Sequence, residues 1–526
     1  MLALLAACAP STDEGTPTTV PPEPTASTAD TSSPATSATG ETGTSTPGYP
    51  RCGTLDRHQV WTGAGDIAAL ERAPDGTLFS VGHLGPELHI DGPTSTLTLH
   101  DTCGNAMDAL MVHLSADLDP LWTRTARGCG VGSPALALSA DRIAWVTNRN
   151  ASATFGAETS ADTTVPFHGQ TDVAVAAYTT SGDLLWVGDV AGEGGEYARD
   201  VALGPDGSVV LLATFGYYPI RVAPGDPGSV TLQPSLKNNP LNEDDGLLAR
   251  WNADGTLAWA QKLGGPSNVY PESVDVAADG TILVSGGYDL ALVLAEGTPQ
   301  ETRLEEFPNS PNGEGFVAAY APGGQLLWAQ RFGGIGINND VDATVFRDDT
   351  LHAVVGSSDG DVYGDPPVAW PIGEDDWTAI ARWSPGGAVS GVRGLLGLEP
   401  KVSSMDTHDG WLAIGGMAAA PFTFGAPPNT VDLFNPVEWG DPLVLTWRPD
   451  GSEACAWPIQ SDDEDWYVKT DAVLFDGQGG LWATITFDQP LHVLPGTPEE
   501  LNLVDTTVGY DVLLAHFLLE APAASP

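Results

Sequence analysis

A unit of two hairpins recurs along this chain. Its last copy is one strand short, and a matching strand stands unpaired near the N-terminus. The fullest copy runs from Tyr270 to Gly334, where SVDVAADG and TILVSGGY form two apolar runs joined at Asp279-Gly280. After an irregular insert come GFVAAYAPGG and QLLWAQRFGG, joined at Gly323-Gly324. Asp-Gly and Gly-Gly between β-rich runs signal hairpins, because the favoured two-residue turns need positive φ. Each unit therefore predicts four antiparallel strands.

The first hairpin starts near Asp66, Ser133, Arg199, Tyr270, Asp340, Val402 and Thr470, which makes seven units. The second hairpin is complete in six of them, as in DVAVAAYTTSGDLLW and DGLLARWNADGTLAW, whereas the seventh, YDVLLAHFLLEA from Tyr510, stops after its third strand. HQVWTGAG, from His58 to Gly65, matches the missing fourth strand. A ring closed by an N-terminal strand explains both oddities at once. The expected fold is all-β, a seven-bladed β-propeller over residues 51–526 with few free strand edges. Those units resemble the SBBP-type β-propeller repeats of surface lipoproteins in Gram-negative, myxobacterial-type bacteria, from about His58 to Ala521. The resemblance implies fold and leaves the ligand open. The fifth and sixth units depart from it, with Gly391 and Cys455 at the fourth-strand Trp position.

The N-terminus points to an address. MLALLAAC ends in Leu5-Ala6-Ala7-Cys8 and resembles a bacterial lipobox, which implies removal of residues 1–8 as a signal remnant and acylation of Cys8. It lacks a basic n-region and a full apolar h-region, so either the start lies upstream, the preferred reading, or the match is accidental. Ala9 after the cysteine implies the outer membrane by the sorting rule of enteric bacteria. Residues 9–50 are Ser, Thr and Pro with too few apolar groups to offset the entropy of ordering, and are expected to form a disordered tether. Acidic residues outnumber Lys and Arg by 69 to 20. Such a surface repels phosphate backbones and anionic headgroups, which excludes nucleic acid and leaves the lipid anchor as the membrane contact.

Four cysteines follow Cys8. Cys103 precedes the third strand of the first unit and Cys129 follows the fourth, so antiparallel pairing brings them to one edge. Closing that loop contributes about 3.5 kcal/mol. Cys52 with Cys455 follows by elimination, and a buried free thiol at Cys455 is the alternative.

Recurrent residues read as structure. Trp61, Trp122, Trp186, Trp259 and Trp328 share the fourth-strand position and are expected to pack at blade seams. Asp172, Asp200, Asp245, Glu314 and Asp376 stand ahead of strands and are expected to accept bonds from backbone N–H groups. Turns within blades are tight and fall on one face. Long inserts between second and third strands fall on the other, where binding usually resides. Each insert carries an apolar phrase (LTLHD, VPFHG, VTLQP, TRLEEF, VAWP, TVDLF, LNLVD) expected to pin it to the blade.

No zincin helix, P-loop or GxSxG elbow is present. Asp359, Asp361 and Asp365 in SSDGDVYGD offer oxygen ligands at part of a calcium-loop spacing, so that no cofactor is expected unless Ca²⁺ binds there. The expected function is a monomeric, surface-anchored, non-enzymatic module that binds a protein or glycan through the insert face. The alternative is an exported enzyme with one axial site, a hydrolase or a quinoprotein-like dehydrogenase, since VAAYTTSGDLLW resembles the Trp-bearing hairpin of pyrroloquinoline-quinone dehydrogenases.

Overall fold

The computed structural model describes residues 53–519, apart from 64, 103–106, 129, 159–161, 236–243, 308–312, 334–340, 348–349, 357–361, 365–367, 370–375, 397–399, 419–421, 425–430, 434–440, 450–451, 462–467, 496, 498 and 505–509. Cys8, Cys52, Cys103, Cys129, the tether and Asp359, Asp361 and Asp365 lie outside the described residues. Cys455 is described and buried.

The described residues form seven four-stranded antiparallel sheets. Blade 1 comprises Ile67–Arg72, Leu78–Leu84, Asp108–Leu114 and Pro120–Ala126, and blade 2 comprises Val131–Leu138, Arg142–Arg149, Asp172–Thr179 and Leu184–Gly192. Blade 3 is built from Glu196–Leu203, Val209–Phe215, Asp245–Trp251 and Leu257–Leu263, and blade 4 from Val269–Val276, Ile282–Tyr288, Glu314–Tyr320 and Leu326–Gly333. Blade 5 has Val341–Arg347, Thr350–Gly356, Asp376–Trp383 and Val389–Leu396, and blade 6 has Pro400–His408, Trp411–Ala418, Asp441–Trp447 and Glu453–Ala456. Blade 7 takes Lys469–Phe475, Gly480–Phe487 and Asp511–Leu518 from the C-terminal end and Leu55–Thr62 from the N-terminal end. That last pairing is antiparallel, with Gln59 opposite Leu514 and Trp61 opposite Val512. The first strand of every blade touches the first strands of both neighbours in cyclic order, so these strands line the axis.

The core lies between blades. Ala144, Val146, Val173 and Val175 of blade 2 pack against Val201, Val209, Leu211 and Trp251 of blade 3, all of them buried. Fully burying each Val or Leu stabilises by roughly 1.5–3 kcal/mol. Third strands end in large fully or nearly fully buried groups, including Tyr178, Trp251, Tyr320, Trp383 and Trp447.

Two expectations change in detail. The Asp-Gly turns are longer than two residues: Gly76 N–H donates to Ala73 O at 2.9 Å and Ala73 N–H to Thr77 O at 2.9 Å. The aspartate then accepts from the residue beyond the glycine, as Asp75 does from Thr77 N at 3.0 Å and Asp279 from Thr281 N at 2.9 Å. Glycine still takes positive φ, so the signal holds for a different turn.

The inserts, moreover, do not simply fold back on their own blades. Each forms a small hairpin whose second strand carries or abuts the apolar phrase, for example Glu87–Asp91 with Thr96–His100, or Ile220–Val222 with Val230–Leu232. The hairpin of blade 3 then pairs with the outer strand of blade 2, Val190 opposite Val222. That of blade 5 pairs with the outer strand of blade 4, Phe332 opposite Tyr363, and that of blade 1 with Trp61 of blade 7. Outer strands otherwise present unpaired N–H and C=O groups, a liability that the following blade's insert removes.

Candidate functional site

Seven inner strands bring seven versions of one backbone position to the axis. Each carries a β-bulge near the insert-bearing end, between Ile67 and Ala69, Gly132 and Ala135, Ala198 and Asp200, Pro271 and Ser273, Val341 and Ala343, Val402 and Ser404, and Thr470 and Ala472. A bulge inserts a residue and re-aims its side chain. The inserted residues include Ala68, Arg199, Glu272, Ser403 and Asp471, a set with no shared chemistry.

Around them lies an axial cavity of about 580 Å³, lined mainly by polar groups: Arg199, Asp200, Glu272, Ser273, Ser403, Ser404, Lys469, Asp471, Asn148 and the Asp66–His83 pair. A second cavity of about 330 Å³ continues along the axis toward the tight-turn end, past Val201, Val274, Met405 and Val473. The site therefore opens on the insert-bearing side and narrows toward the tight-turn end, where Asp275 and Asp406 stand among the apolar groups.

Charges at this mouth are arranged unevenly. Lys469 Nζ pairs with Asp471 Oδ1 at 2.9 Å, and Thr486 Oγ1 donates to Asp471 Oδ2 at 2.6 Å. Burial pushes the Asp471 carboxyl up to about 6 against the pull of Lys469. Asp66 hydrogen-bonds His83 Nδ1. Burial opposes its ionisation, yet the bond to His83 and the imidazole's charge hold the carboxyl below its ordinary range. Asp200 accepts from Val274 N at 2.8 Å and Ser273 Oγ at 3.0 Å in the next blade. Enclosure by protein nevertheless raises it to about 7. Arg199, beside it in sequence, is exposed to the cavity and has no ion-pair partner among the described residues.

Residues expected to be structural behave so. Asp172, Asp245 and Glu314 open third strands and accept from His168 N at 2.6 Å, Ser235 N at 2.5 Å and Phe307 N at 2.9 Å. Asp108, Asp441 and Asp511 do likewise with Gly128 N, Ser461 N and Gly63 N. The side chain of Asp376 lies outside the described ones. Asp200 shares the sequence pattern of these acids, but the structure places it on an inner strand at the axial cavity, with inter-blade bonds.

The tryptophans clasp the seams. Trp186, Trp259 and Trp328 donate Nε1–H to Ala253 O, Pro322 O and Pro385 O in the next blade, at 3.2, 3.0 and 2.8 Å. Their rings lie on the turn glycines Gly255 and Gly387, where an added Cβ would fall 2.6 Å from Trp186 and from Trp328. At the closure, Trp61 donates to Gln59 Oε1 at 2.8 Å, and Gln59 donates to Leu118 O at 2.8 Å in blade 1.

Sequence reading missed a buried ionic cluster at the seam of blades 2 and 3. Arg149, Asp172, Asp189 and Glu196 are all buried, and Arg149 Nη2 pairs with Asp189 and lies 3.4 Å from Asp172. Burial, with the Asp172 charge adding to it, pushes Glu196 up to about 8, while burial outweighs Arg149 to raise Asp189 to about 6. The signal available was Arg149 itself, where sister strands end in Leu84, Phe215, Tyr288 and Phe487. Among the described residues no three His, Cys, Asp or Glu are placed to hold a metal.

No protein-family model matches the chain. It is 26% identical over 238 residues to an uncharacterised WD repeat-containing protein of Acanthamoeba polyphaga mimivirus, covering 36% of this chain and 17% of that protein. Among solved structures it is similar to the C-terminal WD40 domain of Sif2, at TM-score 0.31 and 11% identity over 89% of this chain and 99% of that one. It is also similar to a lignostilbene dioxygenase of Pseudomonas brassicacearum, at TM-score 0.36 and 13% identity over 88% and 97%. At such scores these likenesses decide nothing, and the seven blades rest on the strand pairing itself.

Proposed function

We propose that this propeller is a binding module whose ligand, a glycan or a protein segment, enters the axial cavity from the insert-bearing end. The observation that carries this reading is the bulge ring. One backbone position, repeated in every blade, presents a different polar or small side chain in most of them, around a cavity of about 580 Å³. A structural position tends to repeat its residue, as Trp186, Trp259 and Trp328 do in three successive blades. The lipobox at Cys8 and the likeness of the repeats to surface lipoproteins support an exported, lipid-anchored placement, and a diacyl mass on Cys8 in protein expressed with its upstream signal is the expected result.

The test is a thermal-shift screen of glycans and peptides against the parent protein and an Arg199→Ala/Glu272→Ala variant. Ligands should raise the parent's melting temperature and leave the variant's unchanged. Equal shifts in both proteins would remove the axis from consideration. One feature favours the enzymatic alternative: Asp200 lines the axial cavity, and burial raises its carboxyl to about 7, in the range where a general acid or base operates. Turnover of a bound ligand by the parent, abolished in Asp200→Asn, would establish that alternative.

A further inference from the structure

Among the described residues the exposed tyrosine side chains are Tyr197, Tyr217 and Tyr218, at 43, 47 and 38% exposure, and all three belong to blade 3. Tyr197 stands on the inner strand and lines the axial cavity. Tyr217 and Tyr218 occupy the turn where the chain leaves blade 3 to pair with the edge of blade 2, their rings 5.2 Å apart and 74° inclined. The link from blade 2 into blade 3 runs between them. An added Cβ at Gly194 would lie 3.2 Å from Tyr218, and one at Gly195 would lie 2.9 Å from Tyr197. Two consecutive glycines thus let a tyrosine ring lie on either side of one narrow ridge.

That ridge is held firmly. Gln170 N–H donates to Gly194 O at 2.9 Å, Glu196 N–H to Thr171 O at 2.8 Å, and Gly192 pairs with Ile220. Beyond it lies a further cavity of about 570 Å³, lined by His168, Glu193, Pro219, Arg221 and Thr231. The ridge therefore stands between a polar axial cavity and a second hollow of mixed character.

We propose that this ridge is a carbohydrate platform for a neutral oligosaccharide, resting on the reading of the axial cavity as a binding site. The C–H face of a pyranose is apolar and stacks on an exposed aromatic ring, while its hydroxyl edge needs charged or amide groups alongside. Both are present: three exposed rings, and Arg199 in one hollow with Arg221 and Glu193 in the other. Rings held on a pinned backbone bind with little ordering cost. The excess of 69 acidic over 20 basic residues selects against acidic polysaccharides and other polyanions. A sugar chain crosses the ridge with one residue in the axial cavity and its neighbours on the tyrosines.

The experiment is binding of the full chain to a broad microarray of neutral and acidic glycans, followed by calorimetry with the strongest neutral oligosaccharide. Tyr217→Ala/Tyr218→Ala and Tyr197→Ala should each weaken that oligosaccharide at least tenfold with unchanged melting temperature, and Tyr217→Phe/Tyr218→Phe should retain most of the affinity. Binding to no neutral glycan, a preference for acidic ones, or parental affinity in both alanine variants would overturn the platform. If those variants bind like the parent while Arg199→Ala/Glu272→Ala does not, the axial reading stands and the platform falls. A peptide ligand that needs Arg199 and Glu272, with no glycan bound, likewise overturns the platform and keeps the axial site.

Discussion

The seams and the axis of this propeller are built from the same repeat by opposite rules. At the seams the residue recurs: Trp186, Trp259 and Trp328 make the same contact with the same turn of the following blade. At the axis the backbone recurs while the residue changes, from Ala68 through Arg199 and Glu272 to Ser403 and Asp471. A ring closes when its interfaces share one geometry, and the same clasp recurs at the three seams that follow blades 2, 3 and 4. A ligand meets the axis once, so each blade can contribute a different group there.

The comparison breaks most visibly at the tryptophans. Trp259→Ala removes a half-buried indole, while water can replace its donor at the exposed Pro322 O, and should destabilise by about 2 kcal/mol in urea unfolding. Gly255→Ala attacks the same kind of clasp from the partner side. With φ at +87° and the Trp186 ring 2.6 Å from the new Cβ, it should cost about 2 kcal/mol. If either change left stability within about 0.5 kcal/mol of the parent, as an ordinary surface substitution does, the seam would not be held by these rings.

An intermediate case is the ionic cluster, a seam that breaks its own rule. Unfolded carboxyls lose their protons near pH 4, whereas Glu196 holds its proton to about 8, Asp200 to about 7, and Asp189, Asp441 and Asp471 to about 6. Between these limits the folded state binds more protons, so stability falls as pH rises from about 4.5 to 8. His113, stacked on Phe79 at 4.0 Å, runs the other way: burial lowers it to about 4, and its contribution is lost as pH drops below about 6.5. Burial lowers His58 in the same direction, but the acids outnumber these two histidines, so the melting temperature should be higher at pH 5.5 than at pH 8. Glu196→Gln removes the largest of these contributions and should stabilise the protein by about 2 kcal/mol at pH 8 while flattening the profile. A parental slope in that variant would assign the pH dependence elsewhere.

The same contrast explains what could be read from the sequence. Blade count, ring closure and the seam tryptophans were legible because they repeat, and the truncated seventh copy with the orphan His58–Gly65 run gave the closure independently. The acids at Asp172, Asp245 and Glu314 were legible for the same reason. Bulges shift register by one residue and have no compositional signature, so Arg199 and Glu272 looked like ordinary strand starts and Asp200 like one more repeated acid. The inserts were recognised by their apolar phrases, but pairing with the preceding blade is a contact between units that a single unit's pattern does not contain. Tyr217 and Tyr218 occur in one insert only, and repeat reading averages such residues away.

The smallest predicted effect on stability is the most telling. Arg199 is exposed, makes no ion pair among the described residues, and sits in a strand whose backbone bonds do not involve its side chain. Arg199→Ala should therefore change stability by less than about 0.5 kcal/mol, although the residue belongs to the same inner strand as buried Val201 and Ala202. In a chain of net charge −49 an unpaired guanidinium gains some favourable long-range energy from the surrounding acids, so the loss should be small and should shrink with added salt. Ligand binding responds in the opposite sense, because the group that costs least to remove from the fold is the one left free to meet a ligand. Urea unfolding and calorimetric titration on the same Arg199→Ala preparation separate the two. Unchanged unfolding with lost binding places Arg199 on the axis side of the comparison, whereas a loss of stability comparable to that of Trp259→Ala would make the bulge ring one more structural repeat.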